Sequence, residues 1–258
     1  MNSVHYNDFG RLRKRTARDS EVCYQCISEI DWGSAEEYNK TVDETIAMVL
    51  VSNESGVYRS RLLSASGVPY VSRESSNKLI FAINRNAAVT YDIARMAMSK
   101  LVKKRLYKFP CFNQKYLFMP LTGPMESNTT WLNIRYLDKI MSVSKTGATK
   151  LLFSNGFSYT VFFGCSAVKK RVIHDIQLVL AFMVPYAELS LCTCSEKVIQ
   201  SLSEWEGMFI YDQRHKISQP LRVFSSAELH AELAKTYYLK TTPGKNLLLE
   251  EDEWYFFR

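Results

Sequence analysis

The sequence predicts an α+β fold: a strand-rich core of β-hairpins and a meander, a basic helix, a helix packed on the sheet, and a less regular C-terminal extension. Three observations carry this expectation. Asn155-Gly156 stands between the apolar runs 150–153 and 157–163, and an Asn-Gly pair supplies the positive φ angles of a tight hairpin turn. Ile93, Met96, Ala97 and Leu101 recur near helical spacing opposite Arg95, Lys100, Lys103 and Lys104. Val168, Val172, Ile176, Val179, Leu180 and Met183 fall on one face of a second helix.

Residues 1–34 are polar, basic at first and without periodicity, which reads as a flexible basic N-terminal arm. Residues 35–186 form the expected core. Within it, 45–51 and 57–63 flank Asn53-Glu54-Ser55-Gly56, a turn composition between two apolar runs and hence a hairpin. Further strands are expected at 68–71 and 79–83. No Gly or Pro interrupts 87–106, so the basic helix is placed there, ended by Phe109-Pro110 because a proline biases its predecessor away from helix. Strands are expected again at 116–119, 131–136 and 149–153. Ser166 is positioned to cap the second helix, with Lys169, Lys170, Arg171, His174 and Gln177 on its other faces and Pro185 at its end. Residues 187–258 read as an acidic extension suited to partner binding. It holds a segment around 198–205, an apolar run at 208–211, a helix opened by Ser225 or Ser226 and running to about Tyr238, and an acidic cluster at 250–253 before four aromatic residues.

Charge is distributed unevenly along the chain. The formal net charge of +7 divides into +10 over residues 1–181, with 25 Lys/Arg against 15 Asp/Glu, and −3 over residues 182–258, with 8 against 11. The densest stretch is 95–115, which holds Arg95, Lys100, Lys103, Lys104, Arg105, Lys108 and Lys115 and no acidic residue. Solvated helix faces usually mix signs. A cationic run without anions fits a polyanion, whose phosphates bind by releasing condensed counterions. Lys169, Lys170 and Arg171 form a second, smaller cluster.

Enzymatic chemistry finds little support. The four histidines His5, His174, His215 and His230 stand in no nucleophile-base signature, and no phosphate-cradling loop or G-x-G-x-x-G occurs. His174 reads as a solvated or capping residue beside Asp175. Cys23 and Cys26 have zinc-ligand spacing, but Cys192 and Cys194 are separated by one residue and lie far away, so small, partly buried thiols are weighed above a metal site. No cofactor and no metal are expected. No apolar stretch approaches the roughly 20 residues that span a bilayer, and no apolar segment follows the basic N-terminus as a secretory signal would require. A cytoplasmic protein with reduced cysteines and no membrane contact is therefore expected.

Ordered landmarks add a resemblance. Thr45-Ile46-Ala47-Met48-Val49-Leu50 looks like a T-I-A-x-V-L strand, Tyr107-Lys108-Phe109-Pro110 is similar to H-K-x-P, and Tyr116 to Leu121 is similar to F-x-F-P-T. Trp131 follows a polar loop, and Leu152-Phe153-Ser154-Asn155-Gly156 looks like an F-S/N-N-G turn. In this order and approximate spacing, about residues 44–182 resemble the ComK family of competence transcription factors. Arg95 falls at the arginine of that family's G-S-S-x-x-G-R loop, although Val89 to Ala94 lack its glycines. The resemblance implies a non-enzymatic transcription activator that binds A·T-rich promoter sites of double-stranded DNA through the minor groove and self-associates there. It further implies contacts with RNA polymerase and a Clp-protease adaptor. The residues expected to meet groove and phosphates are Arg95, Lys100, Lys103, Lys104, Arg105 and Lys108, with Lys169, Lys170 and Arg171 beside them. The alternative is a protein-interaction adaptor or diverged homologue without DNA affinity, acting through its acidic C-terminal part.

Overall fold

The computed structural model describes residues 24–52, 57–83, 89–113, 115–124, 128–143, 146–190 and 224–241. Eleven strands occur in chain order among them. The first five are β1 (Gln25–Cys26), β2 (Glu36–Glu37), β3 (Ile46–Val51), β4 (Ser60–Ser64) and β5 (Pro69–Ser72). Next come β6 (Cys111–Phe112), β7 (Leu117–Pro120), β8 (Trp131–Asn133), β9 (Leu137–Ser142), β10 (Thr149–Phe153) and β11 (Phe157–Val161). The helices are α1 (Ser76–Ile83), α2 (Tyr91–Leu101), α3 (Cys165–Ser190) and α4 (Ser226–Thr241). The fold is thus α+β, with both sheets mixed.

The apolar run of β3 is buried along almost its whole length, as a strand covered on both faces must be. It lies at the centre of a seven-stranded sheet of order β2-β5-β4-β3-β8-β7-β6, paired antiparallel with β4 and β8. The expected first hairpin is this β3–β4 pair, and its turn residues 53–56 lie outside the described residues. The second sheet has the order β1-β11-β10-β9. Gln25–Cys26, within the segment read as an arm, supplies its parallel edge against β11.

The chain passes from one sheet to the other through a 3-10 turn at Ile134–Tyr136. Asn133 makes that corner possible: fully buried, it donates from Nδ2 to the Ile46 carbonyl at 3.1 Å and accepts the Leu117 N–H at 3.3 Å. At the β10–β11 hairpin only Gly156 takes a positive φ, of 83°. Asn155 stays at negative φ, so the loop is the three-residue form rather than a two-residue turn that needs two positive φ angles. Asn155 instead uses its amide to donate to the Ser64 carbonyl at 3.0 Å, tying the hairpin to the larger sheet.

Several expected boundaries shift for identifiable reasons. Residues 79–83 are not a strand but the body of α1, because a short apolar run is compatible with either state and tertiary packing decides. The basic helix ends at Leu101, not at Pro110. Strand 131–136 breaks at the Asn133 corner, and β9 follows it. The helix α3 continues through Pro185, where burial of Ala181, Phe182 and Met183 holds the helix against the loss of one backbone donor. The segments at 198–205, 208–211 and 250–258 lie outside the described residues. In α4, Ser225 forms the expected cap: its Oγ accepts the Glu228 N–H at 3.2 Å while Glu228 accepts the Ser225 N–H at 2.9 Å.

One apolar cluster joins the elements. Trp131, Phe109, Phe118 and Phe153 are fully buried in it, and α4 contributes Leu229 and Leu233. Phe81 and Tyr91 stack on each other and both meet Trp131 edge to face, and Tyr91 donates its hydroxyl to the Phe109 carbonyl at 2.9 Å. That bond fixes the stretch leading out of the basic helix.

Candidate nucleic-acid interface

Helix α2 ends in a Schellman motif: the Lys104 N–H bonds the Ser99 carbonyl at 3.0 Å and the Lys103 N–H bonds the Lys100 carbonyl at 3.1 Å. Such an ending needs a left-handed residue, usually glycine, and here Lys103 occupies it with φ 51°. The chain then runs outward as a loop from Val102 to Lys108. Leu106 and Phe109 are buried beneath it, and the Leu106 N–H bonds the Ser99 hydroxyl at 3.2 Å. With the apolar residues anchored, Lys103, Lys104 and Arg105 are left exposed. Arg105 lies over the Tyr107 ring, 4.5 Å from its centre.

The first turns of α3 meet this loop. Arg171 donates from Nη2 to the Lys108 carbonyl and from Nε to Asp175 at 3.0 Å, so one guanidinium bridges helix and loop. Lys108 Nζ sits 5.8 Å from the centre of the Phe163 ring, just before α3 begins. Asp175 is fully buried, and burial raises its carboxyl to about pH 7 against the opposing pull of Arg171 and Lys108. Burial, aided by Arg171 and Lys104, pulls the half-buried His174 imidazole below its usual value. His174 therefore lies within the field of both cationic segments.

The expected contact residues fall into two groups. Lys103, Lys104, Arg105 and Lys108 share the loop, and Arg171 joins them across the bridge to α3. Lys169 is half-buried and Lys170 exposed on the turn of α3 that precedes it. Arg95 and Lys100 are set apart from the loop. Arg95 is helical and half-buried with its Nε enclosed, so the stretch aligned with a glycine loop is helix from Tyr91 onward. Lys100 Nζ lies 3.6 Å from Glu232 Oε1 of α4. Lys115, the last cation of the acid-free stretch, pairs with Glu44 at 3.1 Å.

Three features escaped sequence reading. Asp175, named in the sequence only as the neighbour of His174, is fully buried; its spacing of four residues from Arg171 is the available signal. Phe162 and Phe163 were absorbed into a strand, yet both are exposed. The bond between Arg171 and the Lys108 carbonyl spans 63 residues and has no local signature. Among the described residues no group of three His, Cys, Asp or Glu side chains could hold a metal, and Cys23, Cys192 and Cys194 lie outside them. Among the same residues no helix is long and apolar enough to cross a membrane.

A family model described as ComK protein matches residues 36–184, more than half of the chain. No curated protein and no solved structure matches the chain.

Proposed function

The chain belongs to the ComK family, whose members are competence transcription factors and not enzymes, and from that membership we propose that it activates transcription in the cytoplasm by binding A·T-rich duplex DNA through the minor groove. The observation that carries the proposed binding mode is the convergence of Lys103, Lys104, Arg105 and Lys108 with Arg171 at one seam between loop and helix. Narrow minor grooves of A-tracts concentrate negative potential, and side chains of Arg and Lys inserted there read that shape. Lys169 and Lys170 add positive charge on the turn of α3 that leads into Arg171. Arg95, with its enclosed Nε, and Lys100, beside Glu232, are left to support the helix that carries the loop.

The same membership extends the proposal to self-association on DNA and to contacts with RNA polymerase and a Clp-protease adaptor, with no residues assigned to them. Gel-shift titrations on an A-tract duplex and a G·C-rich duplex at several salt concentrations test the reading. Tighter binding to the A-tract, with affinity falling steeply as salt rises, is expected. Equal, weak affinity for both duplexes would remove it.

A further inference from the structure

Phe162 is the most exposed of the large apolar side chains among the described residues, at 89% of its free surface, and Phe163 beside it is 44% exposed. A single exposed apolar residue is ordinary on any protein. Two adjacent phenylalanines in a turn that is held rigidly on both sides are not explained that way. Val161 before them is buried at the end of β11. Thr149, fully buried on β10, donates its hydroxyl to the Phe163 carbonyl at 2.5 Å. The next carbonyl, of Gly164, accepts the N–H groups of Ala167 and Val168 at 2.9 and 3.1 Å and so opens α3. The turn is thus clamped between a strand and a helix with its rings left in solvent.

The charge around the turn bears on what could occupy it. From Lys139 to His174 the chain contains no Asp or Glu, while Lys169, Lys170 and Arg171 follow the turn closely. Lys108 of the basic loop reaches the Phe163 ring. An apolar tip beside Lys108, opening a helix whose first turns carry Lys169 and Lys170, suits a polyanion with a stackable interior. Resting on the DNA-binding reading above, we propose that Phe162 is a wedge that enters the minor groove between two base pairs, unstacks them and bends the duplex while the neighbouring cations hold the phosphates.

The test uses the full chain and an A-tract duplex carrying a fluorescent donor and acceptor at its ends, with 2-aminopurine placed at successive steps in separate duplexes. The wild-type protein is expected to shorten the end-to-end distance and to brighten 2-aminopurine at one step. Phe162→Ala, at a position whose exposure leaves the fold intact by circular dichroism, is expected to abolish both signals and lower affinity by about ten-fold. Its salt slope should stay unchanged, since no cation is removed. Phe162→Leu, which keeps an apolar wedge, is expected to retain the bend. Wild-type binding with steep salt dependence but no bend, or a Phe162→Ala complex that bends like the wild type, overturns the wedge while leaving DNA binding standing. In that outcome the ring is left to a protein contact. Absence of salt-dependent binding by the wild type would instead remove the DNA reading itself.

Discussion

Asp175 is a carboxylate in a place that disfavours charge. Its Oδ2 meets Arg171, its Oδ1 is buried without a hydrogen-bond partner, and desolvation outweighs the guanidinium, so its titration moves from the ordinary carboxylate range up to about 7. A folded-state value above the unfolded one means that the native state holds its proton more tightly. Asp175 therefore contributes stability that is complete below about pH 4 and is lost as pH rises toward about 7. His174 acts in the opposite sense: its lowered value gives stability above its ordinary titration that is lost as pH falls. Arg171, Lys108, Lys104 and Tyr91 are the other charged or titratable groups coupled to the pair. The difference between wild type and Asp175→Asn isolates the carboxyl. Urea unfolding from pH 4 to 8 should show the wild type losing on the order of a few kcal/mol relative to the variant as pH rises. A constant difference across that range would contradict the buried proton.

At the scale of an element, the end of α2 carries a residue that local energetics would not select. A left-handed non-glycine residue costs roughly 1 kcal/mol or more, and glycine is the usual occupant of this position in a Schellman motif. Lys103 at φ 51° spends that energy to present an ammonium group at the base of the basic loop. Lys103→Gly is accordingly expected to stabilise the protein by about 0.5–1 kcal/mol in urea unfolding. The same change should weaken DNA binding and reduce its salt slope by about one unit. A variant that gains no stability, or that keeps the full slope, would separate this lysine from the role given to it.

The elements legible in the sequence were those with a period or a turn signature of their own: α2 and α3 from their apolar stripes, and the β10–β11 hairpin from Asn155-Gly156. Where a short run such as 79–83 has no period of its own, only its packing beside Trp131 makes it helix. The same division holds for the site. Its lysines and arginines were visible as a charge run, but their sorting was not: Lys100 beside Glu232, Arg171 turned inward to Asp175 and Phe162 turned outward all depend on partners distant in sequence.

At the scale of the whole molecule, the described C-terminal helix shares the apolar cluster of the core. Phe224, Leu229 and Leu233 enter the same apolar cluster as Met48, Ala97 and Val172, and α4 packs against both α2 and α3. The two helices that carry the basic seam are thus braced by a helix from the segment whose composition is acidic and reads as partner-binding. Leu229 has no solvent exposure, so truncating it leaves a cavity inside that brace. Leu229→Ala should cost about 2–5 kcal/mol. The diagnostic quantity is where the loss appears. If α4 unfolds with the core, native-state hydrogen exchange of the Ile46–Val51 amides in the central strand should accelerate by the full amount. If α4 is a separate unit, those amides keep their protection while exchange rises only within Ser226–Thr241. The first outcome is expected, because a cluster that runs unbroken from β3 to α4 leaves no plane along which the helix can open without exposing the core.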